Sequence, residues 1–92
     1  MIRTFADKDT AALARGEYVR RWSGIETVAR RKLAQLDAAA TLDFLRVPPG
    51  NRLEALKGNR SGQHSIRIND QFRICFAWKD GGIHNVEICD YH

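Results

Sequence analysis

Between Ala40 and Asn51 the spacing of the apolar residues changes, and that change restricts the chain to one kind of fold. Upstream, Ile25, Val28, Ala29, Leu33, Leu36 and Ala40 recur every three or four residues, the period of one face of an α-helix. Downstream, Ile66 and Ile68, then Phe72, Ile74, Phe76 and Trp78, then Val86 and Ile88 recur every second residue, the period of a strand. Pro48-Pro49-Gly50 divides the two regimes and ends any helix that reaches it. Helices first and strands after predict an α+β fold: an N-terminal strand and two to three helices on one face of a small, mainly antiparallel sheet. With 92 residues there is room for one hydrophobic core, so 1-92 is expected to be a single domain.

The elements can be placed more finely. Ile2 to Phe5 reads as a short strand, and Asp9 is positioned to cap a brief helix through Ala11, Ala12 and Leu13 that stops at Gly16. Gly16 to Trp22 lacks periodicity and reads as a loop, in which Arg20-Arg21-Trp22 is either a contact site or a solvated bend. Ser23 and Glu26 have the spacing of a capping box, which predicts the start of the main helix. Its outer face carries Arg30, Arg31 and Lys32, a pattern of a solvated face that could also meet a phosphate backbone. Leu42 to Val47 adds a turn or two of helix, and Arg52 to Leu56 a further strand.

Fifteen Lys and Arg against eleven Asp and Glu leave a formal charge of +4, compatible with nucleic acid but too small to argue for it. The distribution is more informative, since Arg52, Lys57, Arg60, Arg67 and Arg73 lie upstream of an acidic end. No apolar run approaches a membrane span, and the first residues carry no leader-like segment, so a soluble, cytoplasmic protein without membrane partners is expected. Cys75 and Cys89 each sit within an apolar stretch, the setting of buried thiols in a reducing compartment. Metal-ligand spacing does not occur, and no cofactor is expected.

A one-residue slip exchanges the two faces of a strand, so alignment of the apolar sets fixes the register. Pairing Phe76 with Val86 and Ile74 with Ile88 leaves Asp80-Gly81-Gly82 as a three-residue loop with glycine where a left-handed residue belongs. Pairing Ile68 with Phe72 and Ile66 with Ile74 leaves Asn69-Asp70-Gln71, a loop without glycine. On the other face Arg67 then opposes Arg73, Arg73 opposes Cys89, and Gln71 opposes Tyr91. Opposed like charges cost a few tenths to about 1 kcal/mol, which an anion such as phosphate between them would relieve; otherwise the two splay apart or pair with Glu87. Cys75 and Cys89 become diagonal neighbours, which argues against a bridge. His64 alternates with Ile66 and Ile68 and reads as a satisfied core-facing histidine, while His84 sits beside a turn. Asp90-Tyr91-His92 emerge at the rim near Arg73, and carboxylate, phenol, imidazole and guanidinium together suit proton transfer at a phosphodiester.

The residues Pro48-Pro49-Gly50-Asn51-Arg52-Leu53, the segment Arg52 to Gly58, the run Gln63 to Arg73 and the terminal Asp90-Tyr91-His92 resemble the HigB/GraT toxins of the RelE superfamily along essentially the whole chain. That resemblance implies the toxin of a type II toxin-antitoxin pair: a ribosome-dependent endoribonuclease that enters the ribosomal A site, on the small-subunit side, and cleaves messenger RNA with neither metal nor cofactor. It also implies a HigA-like helix-turn-helix antitoxin as partner, with operator DNA contacted only through that antitoxin. Carried over by position, Arg73 matches the family's phosphate-binding arginine, Lys57 lies in its Leu-Lys-Gly motif, and Asp90, Tyr91 and His92 match its C-terminal cluster. Some relatives have histidine where this chain has Glu54, which leaves the general base open with Glu54 as a candidate. Arg52, Arg60 and Arg67 are the candidate RNA-backbone contacts. Two other readings compete: a ParE-like toxin that binds DNA gyrase, and a non-catalytic RNA-binding module.

Overall fold

The structure, a computed structural model, describes residues 1-90. Helix α1, Lys8–Ala14, is capped by Asp7 rather than Asp9. Asp7 has the extended backbone that a cap requires, and its carboxylate accepts from the Thr10 amide at 2.7 Å and the Thr10 hydroxyl at 2.9 Å. Asp9 lies in the first turn and pairs with Arg21 at 3.2 Å. Arg20–Ile25, expected to start as a loop, is a 3₁₀ turn that buries Trp22 beneath the Arg21 guanidinium, 4.2 Å from its ring.

Helix α2 runs Glu26–Ala38 and buries Ala29, Leu33 and Leu36. The capping box does not form: Ser23 is inside the 3₁₀ turn, Ile25 occupies the cap position, and Glu26 pairs with Arg30 instead. The expected cationic outer face is also largely absent. Arg30 donates to the Leu13 and Glu17 carbonyls, Lys32 is buried, and Arg31 alone of the three is exposed. After α2, Thr41 caps a 3₁₀ turn at Leu42–Arg46 that buries Leu45, and a second 3₁₀ turn follows at Pro49–Asn51.

The sheet contains β1 (Glu54–Ala55), β2 (Gln63–Arg67), β3 (Phe72–Lys79) and β4 (Gly82–Asp90), antiparallel throughout in the order β1-β2-β3-β4. β1 is shorter than the expected Arg52–Leu56 strand because Arg52 is left-handed, with φ 46, and cannot continue a pleat. Ile2 and Phe5 make single parallel bridges to Ile83 and Val86, so the N-terminal segment covers the outer edge of β4. The pairs Ile66↔Ile74, Ile74↔Ile88, Arg67↔Arg73 and Arg73↔Cys89 are those the apolar alignment requires. The loop without glycine is closed by Asn69, whose side-chain oxygen accepts from the amides of Gln71 at 2.9 Å and Phe72 at 2.7 Å.

The β3-β4 hairpin differs from the expected three-residue loop. Lys79 pairs with Gly82, leaving Asp80 and Gly81 as a two-residue turn with φ 53 and 69. The register then shifts between Cys75 and Ala77, where left-handed Asn85, φ 55, takes up the extra residue. A two-residue turn with both residues left-handed matches the strand twist, and the bulge restores the apolar register beyond it. The core between sheet and helices is centred on Phe76, Ile66, Ile74, Ile83 and Val86, packed against Leu13, Leu36 and Leu45. His64 lies beside Phe76, ring centroids 6.2 Å apart, but it is not satisfied: its Nδ1 is buried without a hydrogen-bond partner among the described residues.

Candidate active site

Strand alternation sets Glu54, Ser65, Cys75 and Glu87 in one row across all four strands, with Arg67, Arg73 and Cys89 in the next. The middle of this face is covered: Ser65 is 0%, Cys75 5% and Arg73 6% exposed. Arg73 is held from several sides. Its Nε donates to the Ser65 hydroxyl at 2.7 Å, and its Nη2 donates to the Arg52 carbonyl at 2.7 Å and the Ser65 carbonyl at 3.4 Å. The Glu54 carboxylate is 3.5 Å from the same Nη2. A guanidinium fixed by backbone carbonyls keeps its position when a ligand arrives, because the carbonyls cannot move off as a long side chain can.

The opposition of Arg67 and Arg73 is met within the chain. Arg67 pairs with Asp70 at the end of its own loop, and Arg73 with the acceptors just described, so no anion is needed between them. Arg60 comes from the 3₁₀ turn Gly58–Arg60 and crosses β2 and β3 to reach Glu87 on β4 at 2.8 Å, with Gln63 at 3.0 Å. Its hydrogen bond to Glu87 raises its pKa further. Glu87, a possible partner for the opposed arginines by sequence, is thus taken by Arg60. Beside this row a cleft of about 420 Å³ is lined by Glu54, Ala55, Leu56, Lys57, Asn59 and Arg60. Glu54 and Lys57 are among its exposed lining residues, and exposed Arg52 precedes it in the chain.

The family model for HigB-like toxins, described as RelE-like toxins of the HigB type II toxin-antitoxin system, matches residues 3–92. The chain belongs to the HigB-like toxins. The Toxin HigB-1 of Vibrio cholerae is 54% identical over 59 residues, covering 64% of this chain and 62% of that protein. An uncharacterized protein of Haemophilus influenzae is 33% identical over 64 residues, covering 70% and 63%. The chain therefore spans somewhat less than two thirds of the length of these curated relatives. In fold, it is similar to YoeB in the YoeB-YefM complex from Staphylococcus aureus, TM-score 0.63 at 19% identity over 100% of this chain and 98% of that one. It is also similar to a YafQ mutant from E. coli, TM-score 0.64 at 11% identity over 98% and 91%. The α+β arrangement of this HigB-like chain is that of the RelE-like toxins.

Of the residues singled out in the sequence, the HigB-like fold brings Glu54 to Arg73 and sets Lys57 and Arg60 along the adjoining cleft. Arg67 neighbours Arg73 in register but turns to Asp70. Asp90 is exposed at the end of β4, opposite Phe72, where the Gln71 side-chain amide donates to its carboxylate at 3.1 Å. Tyr91 and His92, and the pairing of Gln71 with Tyr91, lie outside the described residues. The register makes Cys75 and Cys89 diagonal neighbours, and both are free thiols. A hydrogen bond between them lowers the pKa of Cys75 and raises that of Cys89. Among the described residues, no group of three or more His, Cys, Asp or Glu could hold a metal ion, and no helix is long and apolar enough to cross a membrane.

Sequence reasoning missed three residues of this region. Ser65 could have been found, because alternation from Arg67 puts it on the Arg73 face. Asn51, at the end of the Pro49–Asn51 turn, and Lys32, buried against it, gave no sign of their pairing: one stands in a loop motif and the other within a cationic run.

Proposed function

We propose that this HigB-like chain arrests translation by cutting messenger RNA in the A site of the ribosome, with a HigA-like antitoxin as its inhibitor and operator DNA reached only through that antitoxin. The observation that carries this reading is the anchored Arg73 guanidinium with the Glu54 carboxylate 3.5 Å away, at the edge of a cleft that also presents Lys57 and Arg60. A fixed cation next to a carboxylate serves a reaction in which a hydroxyl loses its proton as charge accumulates on phosphorus-bound oxygen. In the proposed sequence Glu54 removes the proton of the ribose 2′-hydroxyl, which attacks the adjacent phosphate. Arg73 and Lys57 stabilise the pentacovalent oxyanion, and His92 protonates the departing 5′-oxygen. Asp90 orients His92, Tyr91 positions the RNA, and Arg52, Arg60 and Arg67 hold its backbone. On arrival, the scissile phosphate displaces Glu54 from the guanidinium, which leaves the carboxylate beside the nucleophile. All the charges required come from side chains.

The test maps RNA ends in a translation extract supplied with the purified chain. New ends within translated codons are expected, and removal of His92 should lower their rate by about 10² to 10⁴. Intact messenger together with a supercoiling defect would replace this reading with gyrase binding. RNA binding without new ends would reduce the chain to a binding module.

A further inference from the structure

The buried polar pair formed by Lys32 and Asn51 takes no part in the chemistry above. Lys32 on α2 is 7% exposed and Asn51 is 0% exposed, and the lysine ammonium donates to the Asn51 side-chain oxygen. Among the described residues no carboxylate pairs with Lys32. Its charged neighbours are the cations Arg31 and Arg67, which add to burial in holding its pKa below the ordinary lysine value. A buried cation without a counter-ion is unfavourable, and an apolar side chain of similar volume would serve packing better. What Lys32 contributes is therefore to be sought in what it holds.

It holds the orientation of an amide. An ammonium only donates, so the Asn51 oxygen must face Lys32 and its Nδ2 must point the other way. There, Nδ2 donates to the Leu45 carbonyl at 3.1 Å, the Val47 carbonyl at 3.4 Å and the Gln35 side-chain oxygen at 3.1 Å. Those bonds clamp the segment leaving α2 to the turn that Asn51 closes through its own amide, bonded to the Pro48 carbonyl at 2.9 Å. The next residue is left-handed Arg52, whose amide bonds to the Pro49 carbonyl at 3.1 Å and whose carbonyl receives Arg73 Nη2 at 2.7 Å. Two residues on stands Glu54, against the same nitrogen. An unbroken series of bonds thus runs from α2 to the guanidinium.

We infer that Lys32 is a positioning residue: by fixing the Asn51 amide it sets the Pro49–Leu53 segment where the Arg52 carbonyl and Glu54 meet Arg73. The inference rests on the reading of Arg73 as the phosphate-binding group. Lys32→Met removes the donor and keeps the length. Asn51→Asp keeps a partner for Lys32 but strips the donors to the Leu45 and Val47 carbonyls. Both are measured in the full chain by the Arg73 Nε–H resonance, identified by its loss in Arg73→Lys, and by single-turnover cleavage on programmed ribosomes. Each variant should shift that resonance, speed its exchange with solvent by about tenfold or more, and lower the cleavage rate by about 10 to 100-fold at little change in KM, the effect of misplacing a group by about 1 Å. A merely structural role would lower the unfolding midpoint and leave the Arg73 resonance in place. The inference is overturned if either variant keeps both resonance and rate, and if Lys32→Met does not fold, Asn51→Asp alone decides. Undiminished cleavage by Arg73→Ala would instead sink the reading of Arg73, while the resonance would still report on Lys32.

Discussion

Arg73 combines two roles that are usually assigned to different residues, since it is buried at 6% exposure and is also the candidate phosphate ligand. The combination works because the Ser65 hydroxyl and the Arg52 and Ser65 carbonyls accept from its guanidinium inside the fold. Ser65→Ala removes the hydroxyl to which the buried Nε–H donates, and urea unfolding should show a loss of about 1 to 3 kcal/mol. Arg73→Lys keeps the charge but not the planar fork, so cleavage should fall by about 10² to 10³ while the chain still folds; an unimpaired rate would show that charge alone suffices. That Arg73 shares a face with Arg67 is legible in the alternation of the strands. Its burial is not, because the cover comes from the Arg52 backbone, which is remote in the chain.

At the scale of elements, hairpin and helix show how local rules compete. The apolar alignment calls for an odd number of residues between Phe76 and Val86, and the chain meets that with a two-residue turn and a bulge at Asn85 instead of one longer loop. Gly81 is left-handed with φ 69, so Gly81→Ala should cost about 1 to 2 kcal/mol by thermal unfolding, and the same change at Gly24, whose φ is not positive, should not. Helix α2 takes in Lys32 because position 32 faces the Pro49–Asn51 turn, whatever the residue. The folded-state pKa of Lys32 is lowered, so just below the ordinary value of 10.5 the unfolded chain binds more protons than the folded one. Its contribution to stability therefore improves as pH rises through the window between the lowered value and 10.5. In Lys32→Met that rise disappears, so denaturation midpoints followed upward from neutral pH should show the wild-type chain gaining on the variant as pH increases.

For the whole molecule, one core carries the sheet on which the candidate site is built. Phe76 is fully buried at its centre, in the strand that also supplies Arg73, and Phe76→Ala should remove about 3 to 5 kcal/mol. A chain of 92 residues has roughly 5 to 14 kcal/mol in all, so this single change should bring it close to unfolding, visible as a large drop in the midpoint and a loss of near-ultraviolet circular dichroism. Removal of His92, the proposed general acid, should lower cleavage with the midpoint unchanged; a matching fall in the midpoint would assign it to the fold instead. The contrast separates residues that hold the sheet from those that act in the reaction.

The sequence by itself determined the order of the elements, the mainly antiparallel pairing and the register of Ile66, Ile74 and Ile88, because these follow from a period of side-chain direction that each segment carries locally. It also singled out Arg73 and Glu54, though not that they meet. Tertiary structure alone decided the partners of the polar side chains. Arg60 with Glu87, Arg73 with the Arg52 carbonyl, and Lys32 with Asn51 join residues 27, 21 and 19 positions apart, and one partner of each pair stands in the irregular stretch 49-60, which carries no periodicity. The Pro49–Asn51 turn is bonded to α2 on one side and, through the Arg52 carbonyl, to the sheet on the other, and that docking determines which donor finds which acceptor.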